Sequence, residues 1–271
     1  MSMKIISGTS DLSDVRIHYL DSLHESDASS IPVLVCPGLS EIAEEYEDFM
    51  VEMLPRRTIA LSFRGRGRSD TPLAGYDLQD HVTDIESVVL HLQITRFHLY
   101  GYSRGVSYAL EYARQHPERI ASLIVQDYPA EHKAMTAEWA KSYIEDYLIP
   151  FDRLTSNIRA EAVYGIQRES NACEFRFSLE KPVLVLRGAL EDSLISDEDL
   201  ARYKRRFRQI KIVQFEESGH NIRGAEKEKL DRTIIAFLRQ SDRGRGIGLT
   251  SFASAPLGIP SGVGRNRLIK C

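Results

Sequence analysis

Short apolar runs alternate with amphipathic stretches along most of the chain. Ile31–Cys36, Thr58–Ser62, Arg96–Tyr100, Ala121–Asp127, Pro182–Leu186 and Ile210–Phe215 have the length of strands. Ile31–Cys36 is apolar throughout, as expected for a strand covered on both faces. Between these runs, apolar residues recur at helical spacing. Ile42, Tyr46, Phe49 and Met50 do so within Glu41–Leu54, and Val82, Ile85, Val88, Val89 and Leu92 within Leu78–Leu92. Ala109, Leu110 and Ala113 follow in Val106–His116, then the charged stretch Asp197–Phe207, then Leu230, Ile234, Ile235, Phe237 and Leu238 in Ala225–Leu238. Strand and helix alternating in this way predict an α/β domain with a mostly parallel central sheet flanked by helices. Residues 3–20 open the chain with two strands, and the alternation of Val15–Leu20 suits an antiparallel edge hairpin.

Two stretches break the pattern. Tyr128–Lys181 carries no strand-length run and reads as two helices, 134–148 and 152–168. Trp139, Tyr143 and Tyr147 lie four apart there and share a face, with Phe151 beyond them. From Ser241 to Cys271 the chain is rich in Gly, Ser and Arg with no sustained periodicity, which predicts a disordered or loosely attached tail. The expected organisation is a core of residues 1–128 and 182–240, an inserted helical segment 129–181, and the tail 241–271.

The chemistry concentrates at strand ends. Gly101-Tyr102-Ser103-Arg104-Gly105 joins a strand to a helix and reads G-x-S-x-G. A sharp turn there lifts a serine oxygen above the sheet edge, and glycines on either side let backbone approach backbone. Pro182–Leu186 ends at Glu191-Asp192, and Ile210–Phe215 ends at Ser218-Gly219-His220. Serine, acid and histidine thus follow one another, each past a strand's carboxyl end. Asp127, closing Ala121–Asp127, is a rival acid, and Glu191 adjoins Asp192. Of eight histidines, His220 alone follows an acid candidate, ends a strand and is preceded by glycine.

The Ser103 turn, the loop Arg64-Gly65-Arg66-Gly67-Arg68-Ser69-Asp70 and the Gly219-His220 end together resemble the α/β-hydrolase superfamily over roughly residues 1–240. The resemblance implies an α/β-hydrolase fold with 129–181 as a small helical cap. It implies a triad of Ser103, Asp192 and His220, and backbone oxyanion donors at Leu39 and Arg104. In the superfamily the loop after Ile31–Cys36 usually carries a His-Gly pair; here Cys36-Pro37 stands in the histidine's region and Gly38 is kept. Trp139, Tyr143 and Tyr147 either pack the cap or line an apolar substrate pocket. Arg104 is a candidate partner for a substrate carboxylate. Superfamily members that open epoxides or remove halide use an aspartate where Ser103 stands, so the serine points elsewhere. The expected function is hydrolysis of small carboxylic esters, thioesters or lactones through an acyl-serine, with no metal or organic cofactor. C–C bond hydrolysis, peptidase or acyltransferase chemistry with the same residues, or a ligand receptor without turnover, are the alternatives.

Composition narrows the partners. Hydrophobic residues are 42% and charged residues 27% of 271, as in globular proteins with sizeable cores. A net charge of −4 argues against a nucleic-acid partner. No apolar run reaches the roughly 20 residues of a membrane span, and the N-terminal residues lack an apolar leader, so a cytoplasmic protein, monomer or homodimer, acting on a small-molecule acyl substrate is expected. Three cysteines with no zinc-site spacing read as reduced thiols.

Overall fold

The described residues form ten strands: β1 (Ile6–Ser10), β2 (Ile17–Asp21), β3 (Val33–Cys36), β4 (Thr58–Leu61), β5 (Phe97–Tyr102), β6 (Ile120–Gln126), β7 (Glu131–His132), β8 (Cys173–Glu174), β9 (Val183–Gly188) and β10 (Ile210–Phe215). They belong to a computed structural model that describes residues 5–243 except 24, 25 and 28. Eight of the strands make one sheet in the order β1-β2-β4-β3-β5-β6-β9-β10. β1 and β2 pair antiparallel, as do β2 and β4, and every later neighbour is parallel. The helices are α1 (Glu47–Glu52), α2 (Leu78–His91), α3 (Gly105–Gln115), α4 (Ala137–Ser142), α5 (Ala160–Glu169), α6 (Asp197–Arg206), α7 (Ile222–Ala225) and α8 (Lys227–Arg243).

The two-residue period of the strands divides the core. Leu34 and Cys36, Phe97 and Leu99, Leu123 and Val125, and Val183 and Val185 face the side that holds α2 and α3. Val33 and Val35, Tyr100, Ile124, and Leu184 and Leu186 face the side that holds α1 and α8. β3, β5, β6 and β9 are thus covered on both faces, which is why their sequences read as near-continuous apolar runs. Their carboxyl ends lie along one edge, where a doubly wound sheet places its site.

Between β6 and β9 the chain builds β7, α4, a π-helical turn (Tyr143–Leu148), α5 and β8. Ala140, Ile144, Leu148, Ile158, Ala162, Val163 and Ile166 pack with Tyr76 as a cluster apart from the two faces of the sheet. Side chains tie this segment to the core. Arg153 donates to the Ser40 carbonyl (2.8 Å) and Glu45 (2.9 Å), and Asn157 to the same carbonyl (3.1 Å). Arg159 donates to Thr71 (2.8 Å) and to the carbonyls of Gly67 and Ser69. Glu169 accepts from the amides of Gly75 (2.8 Å) and Tyr76 (2.7 Å).

Three local expectations change. The helix expected from Glu41 begins at Ala43 as a 3-10 turn and continues as α1 from Glu47, because Glu41 turns its carboxylate back onto the preceding loop. α5 starts eight residues after Asp152, at Ala160. The expected tail loses its first residues to α8. Ser241 is buried, and Asp242 accepts from Arg56 (2.5 Å) and meets His98 Nε2 (3.2 Å). Residues 244–271, the rest of that tail, lie outside the described residues. Among the described residues no helix is long and apolar enough to cross a membrane.

Candidate active site

β5 ends in a turn so tight that Ser103 has φ +50°. A non-glycine residue in that region is uncommon and is held there by its surroundings. The Ser103 amide donates to the Gln126 carbonyl (3.0 Å), and its carbonyl accepts from the Val106 amide (2.9 Å). The flanking glycines are sterically required. A Cβ on Gly105 would lie 2.2 Å from the Cys36 carbonyl oxygen, and one on Gly101 2.7 Å from Val106 Cα. The same packing draws the end of β3 against the turn, since the Cβ position of Gly38 is 3.4 Å from Ser103 Cβ.

Ser103 Oγ lies 3.0 Å from His220 Nε2, and His220 Nδ1 lies 2.8 Å from Asp127 Oδ2. The imidazole therefore bridges the serine and an acid, but the acid is Asp127 at the end of β6 and not Asp192. Asp127 is fully buried beneath the ring. It also accepts from Ser193 Oγ (2.6 Å), the Leu194 amide (2.9 Å) and the Gly188 amide (3.3 Å). The loop after β9, where the acid was expected, supplies the donors that surround it. Asp192 is exposed, as is Glu191, and among the described residues Asp192 accepts only from the His220 backbone amide (3.3 Å). It has a different effect: a Cβ on Gly219 would fall 1.5 Å from Asp192 Oδ1. Gly219 precedes the histidine because a carboxylate occupies the place of its side chain.

Ser103, His220 and Asp127 converge from the ends of β5, β10 and β6, and the arrangement can pass a proton from a hydroxyl to an imidazole whose far nitrogen is held by a carboxylate. The family model for the alpha/beta hydrolase fold matches residues 31–148. The chain has the α/β-hydrolase fold. It is similar to the AB hydrolase superfamily protein YisY of Bacillus subtilis, with 24% identity over 229 residues, covering 70% of this chain and 85% of that one. The 2-(acetamidomethylene)succinate hydrolase of Mesorhizobium japonicum is 25% identical over 240 residues, covering 74% and 85%. The structure of an esterase from Exiguobacterium antarcticum superposes with a TM-score of 0.68 at 21% identity, covering 85% of this chain and 98% of that one.

In this α/β-hydrolase fold the Ser103 hydroxyl opens on a cavity of about 850 Å³. Trp139, Tyr143 and Tyr147 all line it, as does Phe151. The four rings form a ladder with successive centroids 5.2 Å apart, and Tyr143 is anchored to Ser40 Oγ (2.8 Å). The ladder opens outward: Tyr147 is 39% and Phe151 66% exposed. On the opposite side Tyr102 stacks on His220 at 5.1 Å and donates to its carbonyl (3.3 Å). Burial pushes the Tyr102 phenol well up, so it stays protonated. The amides of Leu39 and Arg104 donate to no group among the described residues.

The Arg104 side chain does not reach for a ligand. Its guanidinium is buried and donates to Tyr108 (3.1 Å), the Lys133 carbonyl (3.2 Å), Ser170 (2.6 Å) and His132 Nε2 (3.2 Å). Because arginine only donates, His132 Nε2 accepts and its Nδ1–H points to Ser107 Oγ (2.9 Å). Burial, reinforced by the Arg104 charge, depresses the His132 pKa to about 2. The arginine-glycine loop after β4 is structural in the same sense. Arg64 bonds Asp84, and Arg66 is fully buried with its Nε on the Leu39 carbonyl (3.0 Å). Among the described residues no His, Cys, Asp and Glu cluster forms a metal site.

Among the charged residues of the cavity that the sequence reading missed are Glu41, Glu45, Arg153 and Arg223. They pair as Arg153–Glu45 and Arg223–Glu41. Each pair joins residues far apart in the chain, so no local motif announces it.

Proposed function

We propose that the protein is a serine hydrolase of small carboxylic esters, thioesters or lactones, with Ser103 as nucleophile, His220 as general base and acid, and Asp127 as the residue orienting the imidazole. The observation that carries this reading is the single ring bridging Ser103 Oγ and a buried carboxylate. As Ser103 Oγ bonds to the carbonyl carbon, its proton passes to His220 Nε2 and the carbonyl π pair moves onto oxygen. The Leu39 and Arg104 amides stabilise that oxyanion, each such donor lowering the barrier by about 3 kcal/mol. Collapse expels the leaving oxygen or sulfur, which takes the proton from His220. Water then attacks the acyl-serine, giving its proton to His220; collapse breaks the acyl–Oγ bond, Ser103 Oγ takes that proton back and the carboxylic acid leaves. Asp127 holds Nδ1–H and stabilises the imidazolium while it lasts.

The aromatic ladder supports an apolar or aromatic acyl group lying toward the open end of the cavity. The serine nucleophile separates the chain from superfamily members that attack with aspartate. The test is intact-mass labelling with a fluorophosphonate, followed by steady-state turnover on p-nitrophenyl esters of increasing chain length. Stoichiometric labelling that Ser103→Ala abolishes, with sustained turnover, supports the reading. A folded protein that takes no label refutes it.

A further inference from the structure

Glu41 sits three residues beyond Gly38 and turns back on it. Its Oε2 accepts from the Gly38 amide (2.9 Å) and from the Tyr46 hydroxyl (2.7 Å). Its Oε1 accepts from Arg223 Nη2. Arg223 lies three residues after His220 on α7, with its guanidinium 4.3 Å over the Tyr46 ring. One carboxylate thus ties the loop after β3 to the segment that follows the histidine. Gly38 is the residue against Ser103: its Cβ position lies 3.2 Å from Glu41 Oε2 and 3.4 Å from Ser103 Cβ. The next amide along is that of Leu39.

An anion so near a developing oxyanion opposes it unless its charge is balanced. Arg223 supplies the balance at a cost, since its Nη1 is buried with no partner among the described residues. That arrangement is poor for stability alone. It is what a site needs if it must use a carboxylate as a rigid acceptor while presenting no net negative charge to the reacting oxygen.

Resting on the serine-hydrolase reading, we propose that Glu41 is a positioning residue that aims the Leu39 amide by holding Gly38, and that Arg223 neutralises it for the transition state. The effect falls on the transition state and not on substrate binding, so kcat changes and KM does not. Glu41→Ala is expected to lower kcat on a p-nitrophenyl ester by about 30- to 100-fold, a partial loss of one oxyanion donor, with KM within about twofold. Affinity for a trifluoromethyl ketone, which forms a tetrahedral adduct on Ser103, falls by the same factor as kcat/KM. Affinity for the matching alcohol stays unchanged. Glu41→Gln keeps an acceptor for Gly38 and loses less than tenfold. Arg223→Met leaves the carboxylate unbalanced and loses more than Glu41→Gln, and the Glu41→Gln/Arg223→Met double variant recovers at least part of that loss.

A Glu41→Ala variant with unchanged kcat, or with raised KM and unchanged ketone affinity, overturns the proposal while wild-type labelling at Ser103 leaves the hydrolase reading standing. A wild type that takes no label overturns both. Should Glu41→Ala fail to fold, the Glu41→Gln and double variants decide: no recovery in the double variant overturns the role given to Arg223 and to charge.

Discussion

Replacing each of two aspartates by asparagine separates the acid that the structure places under the imidazole from the one the sequence favoured. Asp127 takes four hydrogen bonds, from His220 Nδ1, Ser193 Oγ and the amides of Leu194 and Gly188. Asparagine offers one accepting oxygen and turns an N–H₂ toward groups that are themselves donors. If its oxygen serves the loop, the amide N–H₂ faces Nδ1, which must then accept. The opposite tautomer places a proton on Nε2, where Ser103 needs an acceptor. In a serine protease this substitution costs about 10⁴-fold in kcat, close to 5.5 kcal/mol of barrier, and the same order is expected for Asp127→Asn here. Asp192→Asn changes an exposed side chain whose one 3.3 Å contact, from the His220 amide, the asparagine oxygen can still accept, so a loss of about threefold or less is expected. The assay is kcat for a p-nitrophenyl ester, with unfolding midpoints measured alongside to confirm that each variant is folded. Asp127→Asn retaining a tenth of wild-type activity, or Asp192→Asn losing as much as Asp127→Asn, would refute the assignment.

Three further outcomes follow from single contacts. His132 has a folded pKa of about 2, below the unfolded value near 6.5, so the unfolded chain takes up the proton first as pH falls. Its contribution is complete above about pH 6.5 and is lost below it, reaching about 2 kcal/mol at pH 5; in urea titrations His132→Asn should flatten the pH 5–6 slope by about 1.4 kcal/mol per unit, and an unchanged slope would refute this. Gly219→Ala should lower kcat by about threefold or less, because the obstruction 1.5 Å from the new methyl group is the free end of the exposed Asp192 side chain, which can turn away, and a larger loss would refute this. Asp242→Ala should lower unfolding stability by about 1–2 kcal/mol by stripping Arg56 of its carboxylate and His98 Nε2 of its partner, with kcat unaffected.

The serine turn and the histidine were legible because their constraints are local. Gly101 and Gly105 bracket Ser103 within one turn, and Gly219 adjoins His220. The acid was not, because two strands end in aspartate and sequence spacing does not say which loop lies deeper. A signal for Asp127 did exist: it closes the apolar run that follows the nucleophile's helix, and such a run is the natural neighbour of β5, as the pairing of β5 with β6 shows. Helix α8 outran its expected end because Ser241 is a polar residue that bonds the Phe237 carbonyl one turn back and Asp242 is held by the distant Arg56 and His98, neither visible to a search for apolar periodicity. The two-residue strands β7 and β8 are too short to carry a period at all. The Glu41 and Arg223 pair spans 182 positions, and only a folded chain shows it.

The bonds that fasten the segment over the sheet have a kinetic consequence. Arg153, Asn157 and Arg159 grip the carbonyls of Ser40, Gly67 and Ser69, while Glu169 grips two amides on the next loop. Many of these bonds would have to break together for the segment to swing aside, so on the hydrolase reading it is expected to stay in place through the cycle, with substrate entering past the exposed Tyr147 and Phe151. Turnover is then expected not to wait for a slow opening motion of the segment. Selectivity is then expected to be that of a sieve, set by the girth of the molecule presented more than by how well it coaxes the protein shut.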